Sequence, residues 1–196
     1  LDGWYLESDS SDSSIPTPFV KILYNHGSGS NLAARYRTDR YKFLLTLGVK
    51  LFVYDYPGYG KSTGDPTEDS IIDSGKKAYA KLQELAGGNE NETLVLGRSM
   101  GSGVAVNLVT EQSLPSEGLI LQSAFTSFAS AAANGMPVLG WLVELVFPVK
   151  FNSVDKIGAY TGCLFDAHSA DDEWVDVDDG RELYDAAVGV PASCKT

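Results

Sequence analysis

The residues best equipped for chemistry in this chain are Gly97-Arg98-Ser99-Met100-Gly101, a G-x-S-x-G pattern centred on a serine. Its logic is steric. A serine in a strained turn between strand and helix lifts its hydroxyl above the sheet rim, and flanking side chains larger than hydrogen would collide with the neighbouring elements. The helix that follows aims its N-terminal amides and dipole at negative charge developing beside the serine. That arrangement suits attack on a carbonyl carbon through an acyl-serine intermediate. Five residues match such a pattern often by chance. Here the context agrees, because Thr93-Leu94-Val95-Leu96 reads as a strand before it, and Val104, Ala105, Leu108 and Val109 read as an apolar helix after it.

An oxyanion needs two main-chain N–H donors, one from the residue after the nucleophile and one from an earlier loop. Met100 supplies the first. Ser28 is the candidate for the second, since Gly27 in Tyr24-Asn25-His26-Gly27-Ser28-Gly29 permits a turn that points the next amide inward. His26 reads as a structural residue of this loop rather than a general base. The acid is expected after a later strand, in the run from Cys163-Leu164-Phe165 into Asp171-Asp172-Glu173-Trp174-Val175. Asp166, Asp176, Asp178 and Asp179 read as solvated loop residues.

Elements must position these groups. Residues 7–18 are polar and broken by prolines, a surface loop. Residues 19–24 form an apolar strand. Residues 31–47 have helical character and stop at Gly48. Leu51-Phe52-Val53-Tyr54 is a second strand, ended by Asp55-Tyr56-Pro57-Gly58-Tyr59-Gly60. Next comes an amphipathic helix with Ile71, Ile72, Ala78, Tyr79, Leu82 and Leu85 on one face and Thr67 as its N-cap. After the strand at 93–96, Leu119-Ile120-Leu121 and Cys163-Leu164-Phe165 are the fourth and fifth, and a last helix covers 178–187. Continuously apolar strands alternating with helices predict an α/β fold, a mostly parallel sheet covered on both faces. In such sheets chemistry gathers at the carboxyl ends of the strands, where every unusual loop of this chain falls.

The chain has 196 residues, which suits one domain with one core. Its net charge of −11, with no stripe of Lys and Arg, excludes a nucleic-acid binder. No uninterrupted apolar run reaches about 18 residues, the length a membrane span needs. Gly60-Lys61-Ser62 resembles the end of a phosphate loop, but Asp55 stands where that loop needs glycine. Around Asp176-Val177-Asp178-Asp179-Gly180, Val175 and Val177 occupy ligand positions of a calcium loop, so that motif fails too. No Cys/His cluster has metal-ligand spacing, and neither metal nor cofactor is expected. Nothing in the spacing of Cys163 and Cys194 requires pairing, and two free thiols are expected. Asn91-Glu92-Thr93 is a glycosylation sequon in an expected loop, a weak pointer to the secretory pathway; a membrane-associated or a cytoplasmic location fits equally.

Four segments, in order, resemble α/β-hydrolase-domain serine hydrolases of the branch that holds lysophospholipid and monoacylglycerol lipases and protein depalmitoylases. They are Tyr24-Asn25-His26-Gly27-Ser28-Gly29, Asp55-Tyr56-Pro57-Gly58-Tyr59-Gly60-Lys61-Ser62, Gly97-Arg98-Ser99-Met100-Gly101-Ser102-Gly103 and His168-Ser169-Ala170-Asp171-Asp172-Glu173-Trp174-Val175. The resemblance covers nearly the whole chain and implies the α/β-hydrolase fold over residues 1–196, with a short cap at about 125–155 between the fourth and fifth strands. The apolar stretch 135–147 lies in that cap, either as a lid lining an acyl pocket or touching a membrane surface, or as a helix packed on the core. In the family the last segment reads His-Gly-x-x-Asp-x-x-Val with the Asp as triad acid. This places the acid at Asp172 rather than Asp171; Ser169 and Asp176 depart from the usual Gly and Pro.

The resemblance implies a serine hydrolase of carboxylic esters or thioesters, acting on a small-molecule ester or lipid, with Ser99 as nucleophile, Asp172 as acid and the Ser28 and Met100 amides as the oxyanion hole. One part is missing. The family's catalytic histidine follows one more strand, and the only histidines here are His26 and His168. The chain opens without an initiator Met at Leu1-Asp2-Gly3-Trp4-Tyr5 and stops at Cys194-Lys195-Thr196, where that strand would begin. Truncation of a longer hydrolase at both ends is the first explanation, with these residues alone inactive. The alternative is an inactive relative that binds a lipid or a protein.

Overall fold

The computed structural model describes residues 1–9, 11–16, 20–89, 92–135 and 149–196. Six strands form one sheet: β1 (Gly3–Glu7), β2 (Val20–Asn25), β3 (Val49–Tyr54), β4 (Thr93–Arg98), β5 (Gly118–Gln122) and β6 (Cys163–Ala167), in the order β1-β3-β2-β4-β5-β6. Strands β2 to β6 run parallel and β1 is antiparallel to β3. The helices are α1 (Arg35–Leu45), α2 (Glu68–Ala86), α3 (Met100–Val109), α4 (Phe128–Gly135), a single turn α5 (Val154–Ile157) and α6 (Val177–Ala186).

Burial explains the choice of elements. The runs at β2, β3 and β4 are apolar on both faces because both faces are covered, as central parallel strands require. On one face Tyr41 of α1 packs with Ile22, Tyr24, Leu51, Val53 and Leu96. On the other, Ile71, Ala78 and Leu82 of α2, Val104 and Leu108 of α3 and Leu183 of α6 pack with Leu23, Phe52, Val95, Leu119 and Leu164. Thr67 caps α2 as expected: its side chain accepts the Ser70 amide while Ser70 returns the bond to the Thr67 amide, satisfying two donors that an open helix end would leave free.

One strand was not anticipated, and two expectations need correction. Gly3–Glu7 is an antiparallel edge strand that keeps three of its five residues exposed and so lacks the apolar run that marks the others. Cys163 and Cys194 form a disulfide, their Cα atoms 5.0 Å apart, because the chain comes back alongside β6 after α6. Asp179 is not solvated. It is 6% exposed, and its carboxylate accepts bonds from the Thr126 amide (3.2 Å), the Thr126 hydroxyl (2.6 Å) and the Ser130 hydroxyl (2.6 Å), tying α6 to the segment after β5. The stretch 135–147 lies outside the described residues except for Gly135. Thr93 of the sequon is fully buried at the start of β4, and Asn91 lies outside the described residues.

Register settles where the loops emerge. Asn25 stands beside Gly97, Arg98 beside Gln122, and Gln122 beside Ala167. The residues after β2, β4, β5 and β6 therefore leave along one rim. At the far side, Lys195 makes a parallel bridge to Leu164, and the Asp166 amide donates to the Thr196 carbonyl at 2.8 Å. Residues 195–196 thus run beside β6, but as an isolated bridge after a 3-10 turn at Ala192–Cys194 rather than as the strand expected at 194–196.

Candidate active site

Ser99 occupies the turn between β4 and α3 with φ +50° and ψ −125°, a region that costs a non-glycine residue on the order of 1–3 kcal/mol. Its surroundings hold it there. Its amide donates to the Gln122 carbonyl at 2.9 Å, and its carbonyl accepts the Ser102 amide and hydroxyl, both at 2.7 Å. The flanking glycines are required by contact. A Cβ at Gly97 would sit 2.7 Å from the Cα of Ser102, and one at Gly101 would press on the Asn25 and His26 carbonyls. Ser99 itself is half-buried, so the turn presents its hydroxyl rather than packing it away.

The loop after β2 faces this turn. A Cβ built on Gly27 would lie 3.3 Å from the Ser99 Cβ and 3.8 Å from its Oγ, so glycine here leaves room beside the nucleophile. Ser28 follows at the surface, and Met100 opens α3; neither amide finds a main-chain acceptor among the described residues outside regular elements. Ser28 directly follows the glycine that packs against Ser99, and Met100 directly follows Ser99 in the chain. An oxyanion formed at Ser99 needs two such donors, and an amide at the start of α3 carries the positive end of that helix.

His26 is structural. It is 1% exposed, with Nδ1 2.8 Å from the Gly27 carbonyl and Nε2 3.1 Å from Asp55 Oδ1, while its own carbonyl accepts the Tyr56 hydroxyl at 2.7 Å. Asp55 also accepts the Leu32 amide at 2.7 Å. The sequence marked Asp55 as part of a motif without giving it a role; its role is to pin the Ser99-facing loop from the end of β3.

Asp172 lies in the loop after β6 and turns inward. Its Oδ1 accepts the Trp174 and Val175 amides at 3.0 and 3.1 Å, whereas Asp171 is exposed. Burial pushes the Asp172 carboxyl up; the Trp174 and Val175 amides, a hydrogen bond from the Ser123 side chain and the neighbouring His168 outweigh it and hold the group below its ordinary value. Ser123 was invisible in the sequence. It stands at the end of β5 with φ +49°, one residue after the carbonyl that receives the Ser99 amide, and so links the Ser99 turn to Asp172. Its only signal was its place after an apolar strand.

His168 stays with the acid's own loop. Its Nε2 lies 3.0 Å from the Val175 carbonyl and 3.8 Å from Asp172 Oδ2. Neither histidine hydrogen-bonds Ser99 among the described residues, and no group of three or more metal-ligating side chains occurs among them. Asp166, expected in solvent, is half-buried, and burial raises its carboxyl to about 6 against the opposing pull of His168.

With this geometry in hand, comparison with known proteins is informative. A family model described as serine aminopeptidase, S33, matches residues 17–160. The lysophosphatidylserine lipase ABHD12 of Xenopus tropicalis is 29% identical over 199 residues, covering 94% of this chain and 49% of the frog protein. The lipase of the same name from Gallus gallus is 30% identical over 180 residues, covering 85% of this chain and 47% of its own length. The chain thus spans about half the length of the curated relatives it matches. Among solved structures, the Pyrococcus furiosus esterase Pf2001 superposes with a TM-score of 0.68 at 25% identity, covering 94% of this chain and 72% of the esterase. The match over 17–160, on a sheet of this order with its serine at the strand–helix turn, makes this chain a member of the α/β-hydrolase family described as serine aminopeptidase, S33.

Proposed function

We propose that the protein containing this chain hydrolyses carboxylic esters or thioesters of lipid-like substrates through an acyl-Ser99 intermediate. One observation carries the proposal: a half-buried serine with positive φ at the turn between β4 and α3, faced by Gly27 of the loop after β2. The lipase and esterase names of the relatives support the substrate class.

In the proposed cycle a histidine from outside residues 1–196, oriented by Asp172, takes the Ser99 Oγ proton as Oγ bonds to the substrate carbonyl carbon. The carbonyl oxygen becomes an oxyanion held by the Ser28 and Met100 amides. Collapse breaks the bond to the alcohol or thiol, which leaves with the proton from the histidine. Water then repeats the sequence on the acyl-serine, releasing the acid and restoring the Ser99 hydroxyl. No step requires a cofactor. The low-lying carboxyl of Asp172 stays ionised through the neutral range, as the charge-stabilising partner of an imidazolium must.

Residues 1–196 form one hydrolase domain in this proposal, with 125–155 as its cap. In support, the Phe128 amide donates to the Lys150 carbonyl at 2.8 Å, which closes the base of the insertion between β5 and β6. We place the protein in a secretory or other oxidising compartment, supported by the Cys163–Cys194 disulfide. Contact with a membrane surface would run through the apolar cap, because a net charge of −11 disfavours docking on anionic headgroups.

A fluorophosphonate tests the proposal on the full-length protein. Covalent labelling that maps to Ser99 and disappears in Ser99→Ala is expected. An unlabelled, folded protein would instead favour a lipid- or protein-binding relative.

A further inference from the structure

Arg37, on the first turns of α1, is 3% exposed, and its hydrogen-bond partners are three main-chain carbonyls rather than a carboxylate. Its Nη2 donates to the Gly27 carbonyl at 2.7 Å and to the Gly29 carbonyl at 2.6 Å, and its Nη1 donates to the Ser30 carbonyl at 2.9 Å. The loop between β2 and α1 is therefore gathered around one buried guanidinium. A lysine would bring one nitrogen where the guanidinium sets two, Nη1 and Nη2, at fixed angles against these carbonyls.

The geometry points to Arg37 as a positioning residue of the oxyanion hole, an inference that rests on the reading of Ser99 as nucleophile. The peptide between Gly27 and Ser28 is trans, so its carbonyl and its N–H point in opposite directions. Arg37 draws the Gly27 carbonyl to itself, and His26 Nδ1 lies against the same oxygen at 2.8 Å. With that oxygen held, the Ser28 N–H is turned the other way. If the peptide rotated, the Gly27 oxygen would come to the space beside Ser99, where its negative end would repel the oxyanion that the N–H should stabilise. Ser30 carries the strain of the loop with φ +79°, and Arg37 holds its carbonyl as well. The hydroxyl of Tyr36 adds a further bond to the Gly29 carbonyl. Desolvating a charge to hold neutral acceptors is costly. Here it fixes a peptide plane that the backbone around Gly27 would otherwise leave free to rotate.

The test is steady-state ester hydrolysis by the full-length protein, comparing Arg37→Met, Arg37→Lys and Ser99→Ala, with binding of a boronic-acid transition-state mimic measured in parallel. Losing one oxyanion donor typically costs about 100- to 1,000-fold in kcat, so a loosened donor in Arg37→Met should cost roughly 10- to 100-fold. KM should change by less than about 3-fold, and the mimic should lose affinity in step with kcat. Arg37→Lys, which retains one charged donor, should fall between the two and carries the test alone if Arg37→Met does not fold. Arg37 is only structural if kcat and mimic affinity stay at the wild-type level in either folded variant, or if KM alone rises. Full activity in Ser99→Ala would instead remove the underlying reading of the nucleophile, so the two failures are distinct.

Discussion

The two halves of the rim are held together differently. At the ends of β2 and β4, side chains grip main chain. Arg37 holds three carbonyls, Asp55 an amide and the His26 ring, and Asn25 bridges the Leu96 carbonyl and the Tyr54 hydroxyl. At the end of β6 the bonds lie mostly within one loop: Asp172 accepts the Trp174 and Val175 amides, and His168 meets the Val175 carbonyl. Asp166 Oδ1 and His168 Nδ1 are buried with no partner among the described residues, as Arg98 Nε is at the end of β4, and at the opposite end of β6 a disulfide ties Cys163 to Cys194. The contrast would suit the division of labour in the proposed acyl transfer. The nucleophile and oxyanion donors must be set before substrate arrives, because rigid dipoles cost no reorganisation in the transition state. The acid has only to orient and neutralise a partner.

The largest expected effect probes the β6 half. Asp172→Asn keeps the two amide bonds in size but removes the charge, and kcat of the full-length enzyme should fall by about 1,000- to 10,000-fold with little change in melting temperature. A loss below about 10-fold would transfer the role of acid to another residue. On the nucleophile half, Gly101→Ala should cost about 3 kcal/mol or more of stability, since the added methyl meets main-chain atoms of Asn25 and His26 that cannot swing aside. Denaturant unfolding checks it, and a neutral result would show that this half is less rigid than its bonding implies.

Cleaving the crosslink in Cys163→Ser with Cys194→Ser, residues 31 apart in sequence, should cost on the order of 3 kcal/mol by the chain-entropy account. Comparing unfolding of the oxidised wild type with that of the variant measures it. The smallest effect concerns Asp166. Its folded carboxyl titrates near 6, above the ordinary 3.8, so the folded state binds the proton more tightly than the unfolded chain does. The ionisation penalty therefore grows as pH rises from about 4 to 6 and is constant above that. Asp166→Asn should gain on the order of 1–2 kcal/mol at pH 8 and almost nothing at pH 4. Equal gains at both values would mean that the effect comes from packing rather than from charge.

This contrast also explains what could be read in advance. Ser99, Gly97, Gly101 and the loop from Asn25 to Gly29 were legible because local sterics force their types into a short pattern. Apolar runs marked β2 to β6, and Thr67 marked the start of α2, again through near neighbours. Asp172 needed the family's spacing, because an acidic surface loop offers several equivalent carboxylates. Two of the missed features depend on partners remote in sequence. Asp179 meets Thr126 across 53 residues, and Cys163 meets Cys194 only because a helix returns the chain to β6. Arg37 binds its carbonyls from only 7 to 10 residues away, yet in sequence it is one charged residue of Arg35-Tyr36-Arg37, and nothing but the fold says which arginine turns inward. Strand β1 escaped because an edge strand half in solvent carries no apolar run.

The most direct measurement is a crystal structure of the full-length protein after phosphonylation. The phosphorus should be bonded to Ser99 Oγ, with the phosphonyl oxygen about 2.7–3.1 Å from both the Ser28 and Met100 nitrogens and the Asp172 carboxylate on the same rim. An adduct on another residue, or a phosphonyl oxygen turned away from those two amides, would contradict the account.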